Sequence, residues 1–264
     1  MPIRYEASGD HTVTVTIDRP DTRNALDAAH FRDLASAWRR FRDDADAWVA
    51  IVTGTGRNFM AGADLRTYIP EVTDARRRGA PDLDEMLRDG TDAVLRSLVV
   101  DKPVIAAVNG PCVAGGMELV GATDIRVATP YATFGLMEIK RGLFPGGGST
   151  VRLPRQLPYA AAMELLLTAD AVPASRALAL GLLNEIVEED ALVATALAWA
   201  RRITANAPLA VQATKESVRR GLALPLDEAY AVETEISHRV FATEDAVEGP
   251  RAFAERRPPV WRGR

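Results

Sequence analysis

Apolar and polar positions change period several times along this chain, and each change predicts an element. Thr12–Ile17 (TVTVTI) is β-branched and alternating, the pattern of a strand, and Asp18-Arg19-Pro20 ends it. From about Leu26 to Ala45 the residues Leu26, Phe31, Leu34, Trp38 and Phe41 fall near helical spacing. Ala47–Thr53 (AWVAIVT) predicts the next strand, closed by Gly54-Thr55-Gly56. Val104–Val108 is wholly apolar and bounded by Pro103 and Asn109-Gly110, the mark of a buried strand, and Asp124–Ala128 predicts another. Tyr159–Leu167 and Ala174–Leu180 read as helices, with Gly181 as a C-cap and Leu183–Val187 as a short extended piece. From about Asp190 the pattern stays helical, through Ala191–Ala205, Leu209–Gly221 and Leu226–Phe241. Mixed strands and helices followed by helices alone predict an α/β fold over residues 1–190. Residues 191–264 are expected to form a C-terminal helical subdomain without a flexible linker.

Two connections are built from small residues. In Pro103–Val120 (PVIAAVNGPCVAGGMELV) the apolar strand runs into Ala114-Gly115-Gly116, and Met117-Glu118-Leu119 then begins a helix-compatible segment. Such a turn leaves backbone N–H groups bare of side chains at a helix end where the dipole favours negative charge. Glu118 lies in that first turn, so an anion-stabilising turn sits beside a carboxylate. Phe59–Leu65 (FMAGADL) is a second small-residue turn after a buried strand. The path from Ile51–Gly54 to Ala61-Gly62 echoes that from Val108–Gly110 to Gly115-Gly116. It predicts successive β-turn-α units whose turns face one pocket. Between them Glu71–Arg96 is charged and interrupted by Gly79, Pro81 and Gly90, which predicts broken helix over the surface, a natural place for substrate-specific variation. Phe134–Gly148 (FGLMEIKRGLFPGGG) is loop-rich and carries a second candidate carboxylate, Glu138.

Composition narrows the chemistry. At 264 residues the chain is one large α/β domain or two small ones, with enough length for a sizeable core. Lys and Arg number 32 against 36 Asp and Glu, a net charge of −4, which argues against a dedicated nucleic-acid binder. Arg76-Arg77-Arg78 fits a solvated face better than a phosphate site. A single cysteine, Cys112, excludes an internal disulfide and a cysteine metal cluster, and its setting is that of a small buried filler. No apolar run reaches membrane-spanning length and MPIRYEASGD lacks a signal-peptide core, so a soluble cytoplasmic protein is expected. Phe59 stands where a dinucleotide fingerprint starting at Gly54 needs its third glycine, and no P-loop lysine pattern occurs. Gly147–Val151 misses the last glycine of a nucleophile elbow, and His11, His30 and His238 lack ligand spacing. Taken singly, glycine turns are usually only turns, and Glu118 alone would more often be a carboxylate favoured by a helix start. Two such turns with two glutamates in apolar or glycine-rich settings point instead to an active site.

These pieces also fit together as a family pattern. Arg19-Pro20 with Asn24-Ala25-Leu26, Phe59–Leu65, Ala106–Glu118, Asp124–Ala128, Phe134–Glu138 and Gly142–Gly148 resemble the crotonase family of enoyl-CoA hydratases and isomerases. The likeness continues through Arg152-Leu153-Pro154, Leu165–Thr168, Gly181–Asn184, Phe241–Gly249 and Arg257–Gly263, covering nearly the whole chain in family order. It implies a crotonase-like spiral of ββα units, with C-terminal helices that help build a homotrimer and pair trimers into a hexamer. It implies an acyl-CoA thioester substrate and no metal or redox cofactor. By motif position, the backbone N–H groups of Ala61 and Gly115 form the oxyanion hole for the thioester oxygen. Arg23, Gly62, Ala63, Asp64 and Gly146 join them as substrate-binding positions.

The resemblance also implies two catalytic glutamates, Glu118 to position and activate water and Glu138 to handle the C2 proton. Hydration needs both, because water is deprotonated toward C3 while a proton is delivered to C2. Relatives lacking one of the pair isomerise, decarboxylate or hydrolyse thioesters, so the intact pair favours hydration of a trans-2-enoyl-CoA. An isomerase using Glu138 alone is the alternative, and a non-catalytic RNA- or protein-binding member is a remoter one. Two positions depart from the pattern: Met137 replaces the usual proline, and Ala114 replaces a common third glycine.

Overall fold

A computed structural model describes residues 2–264. The chain enters through an antiparallel pair, β1 (Ile3–Ala7) and β2 (Thr12–Ile17), with Ile3 opposite Ile17. It then winds through a repeated unit: a strand of a large sheet, a short extended piece of a smaller one, and a helix. The first winding is β2, Leu26 and α1 (Ala28–Asp43). The second is β3 (Val49–Gly54), the Met60–Ala63 stretch, α2 (Tyr68–Arg78) and α3 (Leu83–Ala93). The third is β4 (Val104–Val108), β5 (Cys112–Val113) and α4 (Gly115–Val120). The fourth is β6 (Ile125–Ala128), β7 (Thr133–Gly135), α5 (Ser149–Gln156) and α6 (Tyr159–Thr168). After β8 (Val172–Pro173), α7 (Ala174–Ala179) leads to β9 (Glu185–Ile186).

The large sheet has the order β1-β2-β3-β4-β6-β9, and every pair after the first is parallel. The small sheet has the order β5-β7-β8, and single bridges Leu26–Ala63 and Met60–Cys112 carry it back toward the chain start. This is the spiral of ββα units expected of the sequence.

The large sheet is covered on both faces, which explains its near-continuous apolar strands. Alternate residues Ala50, Val52, Val104, Ala106 and Val108 join the main core with Phe31, Leu34, Trp38 and Phe41 of α1. Trp38 also donates its indole N–H to the carbonyl of Ala93 at 2.9 Å, tying α1 to the end of α3. The intervening residues Ile51, Ile105, Ala107 and Val127 pack on Leu192, Ala196 and Ala200 of α8 (Leu192–Thr204). So the first helix after residue 190 lies on the sheet itself. α9 (Pro208–Gly221) and α10 (Leu226–Phe241) pair with one another, and α11 (Glu244–Ala254) follows. Lys215 on α9 fastens that pair to the body through the Asp124 carboxylate at 2.7 Å and the Lys102 carbonyl at 3.0 Å.

The charged stretch after β3 is a broken helix as its pattern predicts: Gly79 in the left-handed region (φ 59°) ends the first of two helices, while Gly90 lies inside the second. Cys112 is fully buried, and burial pushes its thiol well above the ordinary range. Among the described residues no helix is long and apolar enough to cross a membrane.

Candidate active site

The two small-residue turns meet. A Cβ placed on Gly62 would stand 2.7 Å from the amide nitrogen of Gly115 and 2.8 Å from the Ala114 Cβ. One placed on Gly115 would stand 3.1 Å from the Gly62 Cα. Only two bare backbones approach this closely, which is the physical reason for small residues in both motifs. Gly115 opens α4, so its N–H has no carbonyl partner inside the helix. Ala114 just before it is held at φ 52°, ψ −124°, a region that suits glycine and strains alanine.

The second backbone donor is not the one expected from motif position. The Ala61 N–H is consumed, donating to the Arg23 carbonyl at 3.1 Å. The parallel bridge between Leu26 and Ala63 uses the Gly62 carbonyl at 2.8 Å and the Asp64 N–H at 2.8 Å. It leaves the N–H of Ala63 itself with no partner among the described residues. Alternation along an extended strand explains the shift, since every second N–H faces the neighbouring strand. Ala63 and Gly115 therefore present the free donors at this junction.

The other expected positions lie around the same turns. Arg23 adopts the left-handed conformation (φ 57°), its carbonyl occupied by Ala61 and its side chain exposed. Asp64 holds the start of α2, accepting the Arg66 N–H at 2.9 Å on its side chain. Gly146 is exposed on the glycine loop that precedes α5.

Glu118 is buried on α4, one turn beyond Gly115. Its carboxylate accepts the N–H of Gly147 on Oε1 at 2.5 Å and is also faced by the N–H of Ser149. Burial is the main force on its proton, and the nearby charge of Glu138 adds to it. Those two backbone donors and the Arg152 guanidinium oppose them, and the balance pushes Glu118 up to about 7. Glu138 sits beyond β7 at the start of a short 3-10 turn, Ile139–Arg141. One of its carboxylate oxygens, Oε2, is buried with no partner among the described residues. Burial raises its pKa, and Arg141 partly offsets the rise. Met137 is half-buried, and its carbonyl accepts from the Arg141 side chain at 3.1 Å.

Sequence reasoning had given no role to the groups that hold Glu118. A Cβ on Gly147 would fall 2.0 Å from Glu118 Oε2, so the glycine loop lies directly on the carboxylate. Arg152, on α5, donates to the carbonyls of Val94 (3.3 Å), Glu118 (3.3 Å) and Gly147 (3.4 Å), and also to that of Leu95. It thus pins three segments around the glutamate. The run Gly146-Gly147-Gly148 was the one signal in the sequence for such a close approach.

Known proteins share this architecture. Residues 9–264 match the family described as Enoyl-CoA hydratase/isomerase. The chain is 43% identical over 260 residues to an enoyl-CoA hydratase of Mycobacterium tuberculosis, covering 96% of this chain and 94% of that protein. It is 39% identical over 264 residues to the (E)-benzylidenesuccinyl-CoA hydratase of Thauera aromatica, with 100% of both chains covered. The crystal structure of an enoyl-CoA hydratase from Bacillus anthracis superposes with a TM-score of 0.90 at 32% identity, again over 100% of both chains. The chain belongs to the enoyl-CoA hydratase/isomerase family.

Proposed function

We propose that this protein is an enoyl-CoA hydratase that adds water reversibly across the C2–C3 double bond of a trans-2-enoyl-CoA. The observation that carries the reading is buried Glu118, on the helix whose first N–H is free, within reach of the charge of half-buried Glu138. The hydratases among its relatives support the reaction class. Their different acyl groups leave the acyl part of the substrate open.

The thioester oxygen accepts from the N–H groups of Ala63 and Gly115, which stabilise the charge that gathers there as C3 is attacked. Fixed donors of this kind are worth about 10²–10³ in rate each. Ionised Glu118 removes a proton from water as the water oxygen bonds to C3. Protonated Glu138 delivers its proton to C2, and the proton left on Glu118 returns to Glu138 through solvent. Each turnover thus consumes one water and adds H and OH across the bond. Burial raises the pKa of both carboxyls, and a Glu118 pKa of about 7 supports a group that exchanges a proton at neutral pH.

The test is loss of the conjugated enoyl-thioester absorbance with crotonyl-CoA and with a longer enoyl-CoA. Wild type is expected to turn over. Glu118→Gln and Glu138→Gln are each expected to fall by about 10²–10⁴. A folded wild type that binds CoA but turns over neither substrate would sink the reading.

A further inference from the structure

α3 stops on an unexpected residue. Beyond its last turn the Leu95 N–H donates to the Asp92 carbonyl at 2.9 Å and the Arg96 N–H to the Thr91 carbonyl at 2.8 Å. That pair of bonds is a Schellman stop, whose left-handed position usually holds glycine. Here it holds Leu95, at φ 54° and with its side chain buried. Strain of this kind persists only where the surroundings hold it in place. The Arg152 guanidinium does so, donating to the carbonyl of Leu95 and, at 3.3 Å, to that of Val94. The same guanidinium donates to the carbonyls of Glu118 at 3.3 Å and Gly147 at 3.4 Å. Gly147 in turn grips the Glu118 carboxylate through its N–H. The opposite end of the helical pair is tied to the backbone donors: Asp64, next to Ala63, accepts the Tyr68 N–H at 3.0 Å where α2 begins. Residues 64–95 therefore run from one half of the site to the other.

Resting on the hydratase reading above, we propose that Arg152 is a positioning residue that carries the placement of the α3 stop to Glu118 and to the glycine loop gripping it. Arg152 acts through Glu118 and exchanges no proton. Four carbonyls around one group call for the planar, many-donor fork of arginine, which a lysine ammonium does not supply. The fork is also a charge. Glu118 is faced by Glu138 from the segment after β7, by the N–H groups of Gly147 and Ser149, and by Arg152, while Arg96 faces Arg152 itself. α3 is held on its far side by Arg39 of α1, which donates to Asp89 at 2.9 Å and to Asp92 at 2.7 Å. Arg39 thus offers a handle on the stop from outside the site.

Arg152→Lys keeps the charge and loses the fork. Its kcat for crotonyl-CoA hydration is expected to fall about tenfold with KM within about twofold, because the carboxylate loses its fixed seat. Its acidic limb should stay in place. Arg152→Met removes the charge as well, and its acidic limb should move up by about one pH unit. A merely structural clasp would lower Tm in both variants and move neither limb. Arg39→Gln should lower kcat about fivefold through the loosened stop, and should cost almost nothing further in the Arg152→Lys background. The proposal is overturned if Arg152→Lys keeps more than half of the wild-type kcat, or if Arg39→Gln costs as much beside Arg152→Lys as alone. It is equally overturned if the limb of Arg152→Met does not move. Should Arg152→Met fail to fold, Arg152→Lys and its pairing with Arg39→Gln decide. Should wild type show no hydration, the hydratase reading fails separately, and urea unfolding against pH still decides about Arg152. The loss of stability near neutral pH should move upward in Arg152→Met, and an unmoved loss rejects its hold on Glu118.

Discussion

Gly147→Ala isolates the geometry of the candidate base without touching its chemistry. The glycine is not in the left-handed region, so an alanine backbone is unstrained there and the added methyl is the whole perturbation. That methyl would sit 2.0 Å from Glu118 Oε2 and 2.5 Å from its carboxyl carbon, whereas real contacts of this kind do not fall below 3.0 Å. The carboxylate must therefore retreat by about 1 Å, and a displacement of that size at a reacting group costs about 10²-fold in rate. Retreat also breaks the charge-assisted hydrogen bond from Gly147 to Oε1. The assay is crotonyl-CoA hydration followed by absorbance, with circular dichroism to verify folding. The expected result is a kcat reduced about 100-fold with KM little changed. Because the effect runs through Glu118, adding Gly147→Ala to Glu118→Gln should cost almost nothing further. A single variant that keeps half of the wild-type kcat would refute the reasoning. So would a double variant that loses as much as the single one.

Glu118 also gives a pH signature that needs no substrate. Its folded pKa of about 7 lies above the ordinary 4.5, so between those values the folded protein binds more protons than the unfolded chain. Its contribution to stability is complete below about pH 4.5 and is lost as pH rises through about 7, on the order of 3 kcal/mol in total. Urea unfolding at about pH 5 and pH 8 should show wild type losing more stability than Glu118→Gln over that interval, and equal losses would reject the assignment. Ala114→Gly should stabilise. Relief of the strained φ and ψ is worth about 1–3 kcal/mol, against about 0.5–1 kcal/mol for the greater freedom of unfolded glycine. A net gain of about 1 kcal/mol corresponds to a Tm higher by roughly 2 °C. A lower Tm would mean that the Ala114 methyl contributes more by packing on Gly62 than it costs in strain.

The elements legible in the sequence were those whose own residues carry the cause. β2, β3, β4 and β6 are short apolar or alternating runs closed by turn residues, and α1, α6 and α8–α10 repeat apolar positions at helical spacing. β5 and β8 are two residues each, too short for any period, and exist because Cys112 and Val172 find Phe134 beside them in the winding. α5 follows three glycines and contains Pro154, so local signals describe a loop, while burial of Ser149 and Leu153 holds it helical.

The site divides in the same way. Glu118, Glu138, Gly62 and Gly115 could be named from residue type and setting, because a bare turn and a carboxylate announce chemistry locally. What each group touches could not. The Ala61 N–H is taken by a carbonyl from the preceding winding, and Glu118 is gripped by an amide 29 residues away. Both contacts depend on how successive ββα units stack, which no local period encodes. The same stacking turns separate features into one device. The second and third windings bring a bare strand edge against a helix start, and the fourth lays the glycine loop and Arg152 over the carboxylate between them. Burial inside that enclosure raises the Glu118 pKa while the Gly147 amide and Arg152 hold it down, so the enclosing residues set its proton affinity from both sides.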